Sequence, residues 1–379
     1  VRRAYKFRLY PNRNQERELE IMLETHRRLY NACLGQRKSV YEKDKISVSY
    51  CEQSAWFKKQ RAVHPWFAKL NFSSAQATMR RLDKAFAAFF RRLRAGEKPG
   101  YPRFKVAGRY DSIEFPAYGD GLRLQEKLRI QHVGQVKVKR HRGMEGAIKT
   151  VTLKRESDKW YAIFSCDLGD VSIESSANPP VGIDVGIESF FTTSEGEHEP
   201  NPAYLKAQLP ALRRAGRAVS RKQKGSKNRR KAVGVLRAWH VRVRNLRGEH
   251  RHQVALKLCR RYGLIAVESL NIKGMLRNRR LSRAIVDAAW GGFLATLRCK
   301  AERAGVVVVE VNARGTSQRC SHCGQVVEKC LGQRQHVCSC GLALHRDVNA
   351  ARNILALART GPAEPNVGVN SHVLRSRHL

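Results

Sequence analysis

The stretch PPVGIDVGIESFFTTS, residues 179–194, decides how the C-terminal half of this chain folds. Its two short apolar runs, separated by a glycine-bearing turn, predict a buried strand, a turn and a second strand. Asp184 stands inside the first run, between Ile183 and Val185. A buried strand gains nothing from an isolated ionised carboxylate, because removing that group from water is costly without a partner. We therefore interpret Asp184 as a residue retained for chemistry.

Two more carboxylates interrupt apolar elements further along the chain. Glu268 lies near the end of the buried strand predicted for GLIAVESL, and Asp347 opens a helix after a predicted helix over 282–304 and a predicted strand over 305–313. Carboxylates at the ends of adjacent parallel strands can converge on cations, and hard oxygen ligands suit Mg²⁺. Two such ions about 3.5–4 Å apart activate water and stabilise the leaving oxygen in phosphodiester hydrolysis. Taken alone, Glu268 could be a surface residue at the end of a strand and Asp347 a helix N-cap. Because they occur together with Asp184, we favour the interpretation that all three are metal ligands.

A cluster of cysteines near the C-terminus is the second chemical signal. Five of the ten cysteines lie there, and four of them form two knuckles, CxxC at Cys320 and Cys323 and CxC at Cys338 and Cys340. Knuckles about 15–20 residues apart are typical of a zinc ribbon, in which four thiolates close a structural site. This spacing disfavours reduced cysteines without metal. Three nearby side chains are alternative ligands: His322, Cys330 and His336.

The charge of the chain points to a polyanionic partner. Its 379 residues include 73 Lys and Arg but 32 Asp and Glu, a formal net charge of +41. Such an excess repels itself unless a polyanion neutralises it, and nucleic acid is the first candidate. A membrane is disfavoured, since the longest clean apolar run, residues 85–90, is far below the roughly 20 residues of a membrane span. The first residues lack the apolar segment of a signal peptide, so we expect a reducing, cytoplasmic compartment.

Basic residues concentrate between Glu199 and Glu268, where Glu249 is the only acidic residue. The run SRKQKGSKNRRK, residues 220–231, lies in a region that we expect to be helical from 203 to 260. Such runs are usually solvated surfaces, but inside a basic helical domain we favour contacts to nucleic-acid phosphates. Six residues are the candidates: Arg221, Lys222, Lys224, Lys227, Arg229 and Arg230.

The N-terminal half contains a helical part and a β-rich part. Residues 2–9 alternate as a strand does. Helical spacing follows over three segments: 14–43, 49–61 and 73–93, the last with Ser73 or Ser74 as a plausible N-cap. Short β-branched and aromatic runs come next: 112–115, 122–128, 136–139, 148–154 and 160–168. If the first strand joins them, the helices are an insertion in a small antiparallel β-domain or barrel.

Motifs spread along the chain resemble those of the TnpB proteins of bacterial and archaeal insertion sequences. The likeness runs from about residue 4 to residue 356, and its C-terminal motifs are the most specific. The motifs are KFRLYPN, RLYN, AFAAFFRR, GYPRFK, GIDVG, LIAVESLNIKGM, SRAIVDAAWGGF and TSQRCSHCG…CSCG…HRDVNAARNIL.

This resemblance implies a multidomain α+β fold. It consists of a RuvC-like RNase H nuclease domain with a zinc-ribbon insertion, a β-barrel wedge domain and an inserted helical recognition domain. The implied segments are 1–10 and 96–178 for the wedge domain, 11–95 for the recognition domain, 179–317 and 346–360 for the nuclease domain, and 318–345 for the zinc-binding, target-nucleic-acid-binding insertion. We expect residues 361–379 to be a disordered tail.

TnpB proteins are RNA-guided DNA endonucleases related to the type V CRISPR effectors, so the resemblance implies that activity here. Carried over by motif, the catalytic triad falls on Asp184, Glu268 and Asp347, which would hold two Mg²⁺ ions, and the four knuckle cysteines would hold one structural Zn²⁺. The implied partners are a guide RNA from the transposon end and double-stranded DNA beside a short transposon-associated motif. Tyr50 and Gln76 fall near the positions that read this motif in the family.

Two other functions stay open from the sequence. A nuclease-inactive, RNA-guided repressor would bind its target without cutting, although the intact triad argues against it. A guide-free, structure-specific nuclease such as a junction resolvase shares the fold and the triad, although a minimal resolvase needs neither the basic block nor the N-terminal half.

Overall fold

In the computed structural model, residues 1–170, 174–312, 314–330 and 332–360 are described. The chain divides into two units, Val1–Val171 and Ser172–Leu379, and both mix helices with strands. The tail expected over 361–379 lies outside the described residues. Among the helices of the described residues, none is long and apolar enough to cross a membrane.

A seven-stranded antiparallel sheet forms the base of the first unit. Its strands are β1 (Arg2–Tyr10), β2 (Ser112–Phe115), β3 (Leu122–Leu124), β4 (Leu128–Ile130), β5 (Gly134–Lys139), β6 (Ala147–Glu156) and β7 (Lys159–Asp167). They lie in the order β2-β6-β7-β1-β5-β4-β3. The strand expected at residues 2–9 is confirmed, and its alternation buries Tyr5, Phe7 and Leu9. The single run expected over 122–128 is wrong, because a turn closed by the Gln125 N–H and the Lys127 carbonyl separates β3 from β4.

Four helices lie between β1 and β2: α1 (Arg13–Asp44), α2 (Tyr50–Val63), α3 (Pro65–Ala68) and α4 (Phe72–Arg94). The first two begin at capping boxes on Asn12 and Ser49, which satisfy the first free N–H groups of each helix. The N-cap expected at Ser73 or Ser74 is wrong. Asn71 caps α4, and its side-chain oxygen accepts from the Ser74 N–H at 2.9 Å. The apolar faces of α1 and α4 share one core with the sheet.

The second unit contains a five-stranded mixed sheet. Its strands are β8 (Pro180–Val185), β9 (Ser189–Thr193), β10 (His198–Pro200), β11 (Leu264–Glu268) and β12 (Val307–Val311), in the order β10-β9-β8-β11-β12. The three strands β8, β11 and β12 are parallel, whereas β9 and β10 run antiparallel to their neighbours. Sequence analysis did not predict β10, because its three residues are polar or proline and carry no alternation.

Helices cover both faces of this sheet. They are α5 (Tyr204–Ser220), α6 (Lys227–Arg261), α7 (Ile272–Met275), α8 (Ser282–Ala288), α9 (Trp290–Ala304) and α10 (Arg346–Thr360). On one face, α6 and α9 pack on the strands, and α10 packs on the other. The continuous helix expected over 282–304 is wrong, because Ala289 takes a left-handed backbone with φ of 55° and divides α8 from α9. The region expected to be helical from 203 to 260 is likewise divided, by residues 221–226.

A small hairpin stands between β12 and α10. Its strands, β13 (Gln335–Val337) and β14 (Ala343–His345), are antiparallel, and β14 leads directly into α10. The second cysteine knuckle lies at the tip of this hairpin.

Candidate active site and metal centre

The register of two parallel strands places Asp184 beside Glu268. Ile183 of β8 pairs with Val267 of β11, so the next residue on each strand is one of the two carboxylates. Both side chains are partly buried. The sequence predicted that these residues end buried strands, and the register shows that the strands are neighbours.

Asp347 lies on α10, the helix packed against β8, close enough for its charge to act on Asp184. It is the second residue of α10, inside the helix and not at the N-cap position, which corrects the N-cap alternative. The helix lies unusually close to β8, because Gly182 has no side chain. A Cβ at Gly182 would overlap the Ala351 carbonyl oxygen and lie 2.9 Å from the Leu355 Cβ. This role of Gly182 was not among the sequence-based predictions, although a glycine inside a strand indicates close approach by another backbone.

The electrostatics show that the charges of Asp347 and Glu268 act on Asp184. Burial raises the pKa of Asp184 to about 8, with further contributions from the charges of Asp347 and Glu268 and an opposing one from Arg346. Burial also raises the pKa of Glu268. Three acidic groups around a partly buried point form an environment that a divalent cation would stabilise.

The four knuckle cysteines form the compact site. The ligand atoms of these four cysteines all lie within 4.8 Å of one another. Among the described residues, no other group of three or more His, Cys, Asp or Glu side chains is as compact. The Sγ atoms of Cys320 and Cys340 are 3.7 Å apart, and those of Cys323 and Cys338 are 3.6 Å apart. Four sulfurs arranged tetrahedrally at about 2.3 Å from a zinc ion would be about 3.8 Å apart. The cluster could therefore hold a zinc ion.

The surroundings of the first knuckle favour a thiolate at Cys320. Gly324 and Gly341 follow the knuckles with φ values of 80° and 87°, in the left-handed region that glycine adopts without strain. Burial opposes ionisation of Cys320. The backbone N–H groups of Cys323 and His322 and the His336 side chain outweigh burial and lower the Cys320 pKa to about 5. A thiolate at neutral pH is the form that binds metal.

The three alternative ligands lie outside the four-sulfur group. His322 and Cys330 are exposed. His336 is fully buried, and its Nδ1 faces the Lys329 ammonium. The structure thus selects the four cysteines named first by their spacing.

The residues predicted to contact nucleic acid occupy two separate regions. In the first unit, Tyr50 on α2 has a buried hydroxyl without a hydrogen-bond partner among the described residues, and its ring lies 5.1 Å from the Arg80 guanidinium. Gln76 on α4 donates to Ser54, one turn after Tyr50, at 3.4 Å. The two predicted residues therefore lie close together on adjacent helices.

In the second unit, the basic run spans the connection between α5 and α6, residues 221–226, and continues into the first residues of α6. Five of its candidates are exposed: Arg221, Lys222, Lys224, Lys227 and Arg230. Arg229 differs, because its guanidinium donates to the carbonyls of Val219 and Lys222 and closes the connection. The structure thus gives Arg229 a structural contact that sequence analysis did not predict.

Comparison with known proteins places these features in a family. One family model, described as “Probable transposase”, matches residues 164–279, and another, described as “Helix-turn-helix domain”, matches residues 1–45. A Streptomyces pristinaespiralis protein named “Putative RNA-guided DNA endonuclease” is 32% identical over 366 residues, which cover 94% of this chain and 89% of that protein. The chain belongs to the TnpB family. The resemblance drawn from its motifs is thereby confirmed.

Other relatives extend the likeness of this TnpB chain. The Escherichia coli K12 protein “Putative RNA-guided DNA endonuclease InsQ” is 29% identical over 383 residues, covering 93% of this chain and 91% of that protein. A third family model, described as “Cas12f1-like, TNB domain”, matches residues 290–354, which include α9, β12 and the four knuckle cysteines. Where the helix-turn-helix model matches, the structure has the strand β1 and the single long helix α1.

The fold of the TnpB chain also resembles a solved structure. A chain from a Cas12f1–sgRNA–target DNA complex aligns with 93% of this chain and 98% of its own length, with a TM-score of 0.58 and 14% identity. At that identity the likeness concerns the fold. The expected mixed α+β, multidomain architecture is confirmed at this level.

Proposed function

We propose that this protein is an RNA-guided DNA endonuclease. Its guide would be an RNA from the transposon end, and its target double-stranded DNA beside a short transposon-associated motif. The observation that carries the proposal is the meeting of Asp184, Glu268 and Asp347 at one edge of a sheet, where the other two charges help raise the Asp184 pKa. A protein that only binds nucleic acid gains nothing from three carboxylates held so close together.

The strand order supports a RuvC-like RNase H domain in residues 179–317 and 346–360. This assignment requires a mixed sheet with three parallel strands and an antiparallel pair at one edge. It also requires carboxylates on β8, β11 and α10. We further propose a wedge domain in 1–10 and 96–178, because β1 pairs with both β7 and β5. Residues 11–95 would be the recognition domain, and 318–345 the zinc-ribbon insertion.

In this proposal, Asp184, Glu268 and Asp347 would hold two Mg²⁺ ions. When bound, such a pair supplies an activated water and stabilises the leaving oxygen during hydrolysis of the phosphodiester. The protein fixes the ligands beforehand, since two sit on paired strands and the third on a helix packed against one of them, so little reorganisation is needed during the reaction. Because burial, together with the charges of Asp347 and Glu268, raises the Asp184 pKa to about 8, cation binding would compete with protonation of this carboxyl.

The four knuckle cysteines would hold one Zn²⁺, whose role is structural because the four thiolates close its coordination sphere. A prokaryotic cytosol, where thiols stay reduced, suits this site. The exposed cations of the α5–α6 connection would contact phosphates of guide or target, and Tyr50 with Gln76 would lie at the motif-reading surface.

Copurification of the protein with its bound nucleic acid, followed by sequencing, is the first test. We expect a defined RNA with a variable end that directs Mg²⁺-dependent cutting of matching duplex DNA. Asp184→Ala should lower cutting at least about 10²–10³-fold and leave RNA and target binding intact. Asp158→Ala, at an exposed aspartate of the first unit, is the matched control and should cut normally.

The other outcomes identify the alternatives. Tight guided binding by the wild type without cutting would indicate the repressor. Cutting of branched DNA without RNA would indicate the guide-free nuclease. Undiminished cutting by Asp184→Ala would refute the assignment of the site.

A further inference from the structure

Two buried asparagines on α10 connect the proposed active site to the cysteine cluster. Asn349 is fully buried and Asn353 is 8% exposed. They are four residues apart and so lie on one face of the helix. Asn349 comes two residues after Asp347, within the same turn. The mechanism proposed above uses neither asparagine.

Both side chains bind the segment that leads into the first knuckle. The Asn349 Nδ2 donates to the carbonyls of Thr316 and Arg319 at 3.3 and 2.7 Å, and its Oδ1 accepts from the Ser321 N–H at 2.9 Å. Asn353 donates to the same two carbonyls, each at 2.7 Å. We call this set of five hydrogen bonds the amide clamp.

The chemistry of the clamp is specific to asparagine at position 349. One side chain must donate to two carbonyl oxygens and accept from an N–H at once, and a short primary amide does this. Within the clamp the Ser321 N–H depends on Asn349 alone, whereas Asn353 also donates to both carbonyls, and a backbone group that loses its partner away from water is costly. The clamped residues flank Cys320, so the position of the first cysteine and the position of α10 are set together.

The start of α10 is also held from its other side. The strand β14 continues directly into the helix, and the Arg346 N–H donates to the Arg334 carbonyl at 2.7 Å. The helix turn that carries Asp347 is thus bounded by the second knuckle hairpin through the chain and by the first knuckle through Asn349.

We propose that Asn349 is a positioning residue through which the closed cysteine site fixes Asp347. The proposal rests on the function inferred above and deepens it, because it makes the structural zinc site a determinant of Mg²⁺ affinity at a different site. Asn353 strengthens the same contact. Loss of the clamp frees the first turn of α10 and lowers the affinity for divalent cations, while the zinc site and the nucleic-acid surface persist.

The variant that tests this is Asn349→Asp, which keeps the shape and the acceptor but replaces the donor facing two carbonyls. Leu357→Gln, at an exposed residue of the same helix, is the matched control. We expect Asn349→Asp to raise the Mg²⁺ concentration for half-maximal cutting roughly 10-fold or more, in the range seen when partners of metal ligands are removed. Cutting at saturating Mg²⁺ should recover substantially, whereas a general folding defect would lower it at every concentration.

Binding of Mn²⁺ to the protein, followed by electron paramagnetic resonance, supplies a measurement independent of cutting. Its affinity should fall by a similar factor in Asn349→Asp, with zinc content and guide-RNA affinity equal to the wild type. Should Asn349→Asp fold poorly, Asn353→Ala, which removes two of the five bonds, should show a smaller shift in the same direction. Mn²⁺ isotherms that coincide for wild type and both variants would overturn the proposal. A wild type that binds Mn²⁺ but never cuts would instead count against the proposed nuclease function.

Discussion

Gly182 on β8 and Ala351 on α10 are in direct backbone contact. A Cβ on Gly182 would overlap the Ala351 carbonyl oxygen, so α10 can lie on this strand because position 182 is a glycine. The contact is one turn after Asp347 on the helix and two residues before Asp184 on the strand. The absence of one methyl group therefore sets the separation of two proposed metal ligands.

Gly182→Ala should displace α10 and disturb the site. We expect the free energy of unfolding to fall by about 1–3 kcal/mol, the usual cost of overpacking, and cutting to fall with it. Urea denaturation and a cleavage assay measure the two effects. Gly234→Ala is the matched control, because nothing lies within 4 Å of a Cβ at that helical position, and it should be neutral or slightly stabilising. Equal stability for Gly182→Ala and wild type would contradict the close packing.

The raised Asp184 pKa predicts a pH dependence of stability. A carboxyl with a pKa of about 8 in the folded state and 3.8 in the unfolded state favours folding when protonated. Its contribution is complete below about pH 4 and is lost as the pH rises toward 8, by at most about 1.4 kcal/mol per pH unit. Denaturation of the protein in Mg²⁺-free buffer at several pH values tests this. Asp184→Asn should flatten the curve over this window, and an unchanged slope in the variant would argue against burial of the charge.

Mg²⁺ should counter that loss. At pH 8 the ionised carboxylates are most repulsive without cations, so added Mg²⁺ should raise the unfolding free energy more at pH 8 than at pH 5. A stabilisation that is equal at both pH values would mean that the cation binds elsewhere.

Cys320→Ser should remove zinc from the protein. The variant lacks one of four converging thiolates, and we expect zinc content by mass spectrometry to fall from about one to near zero per chain. The exposed Cys330 lies outside the four-sulfur group, so Cys330→Ser is the matched control and should keep its zinc. Loss of zinc in the control alone would show that the ligand set is wrong.

Neighbouring cations of the α5–α6 connection should behave differently. Lys224 is exposed, and Lys224→Gln should weaken guide-RNA binding and reduce the salt dependence of that binding by up to about one unit of slope. The Arg229 guanidinium instead bonds two carbonyls, so Arg229→Gln should lower thermal stability. Binding measured at several salt concentrations, together with melting curves, separates the two. Identical behaviour of both variants would contradict the distinction.

Local pattern was sufficient for most elements of the fold. A strand such as β1 shows its alternation within nine residues, and α1 shows its helical spacing. The misplaced features depend on single backbone conformations. The left-handed backbone of Ala289, which divides α8 from α9, does not change the periodicity of the sequence. The strand β10 is too short, at three residues, to show any alternation.

For the candidate site, the sequence indicated which side chains are candidate metal ligands. Carboxylates inside apolar runs and cysteines at knuckle spacing are local patterns that indicate metal ligands without knowledge of the fold. Which of them meet depends on tertiary contacts: the β8–β11 register sets Asp184 beside Glu268, Gly182 admits α10, and the amide clamp joins α10 to the residues on either side of Cys320. The physical reason is that composition and spacing report on the environment of one residue. The distance between residues more than 80 positions apart depends on strand register and on the close packing of helix against sheet.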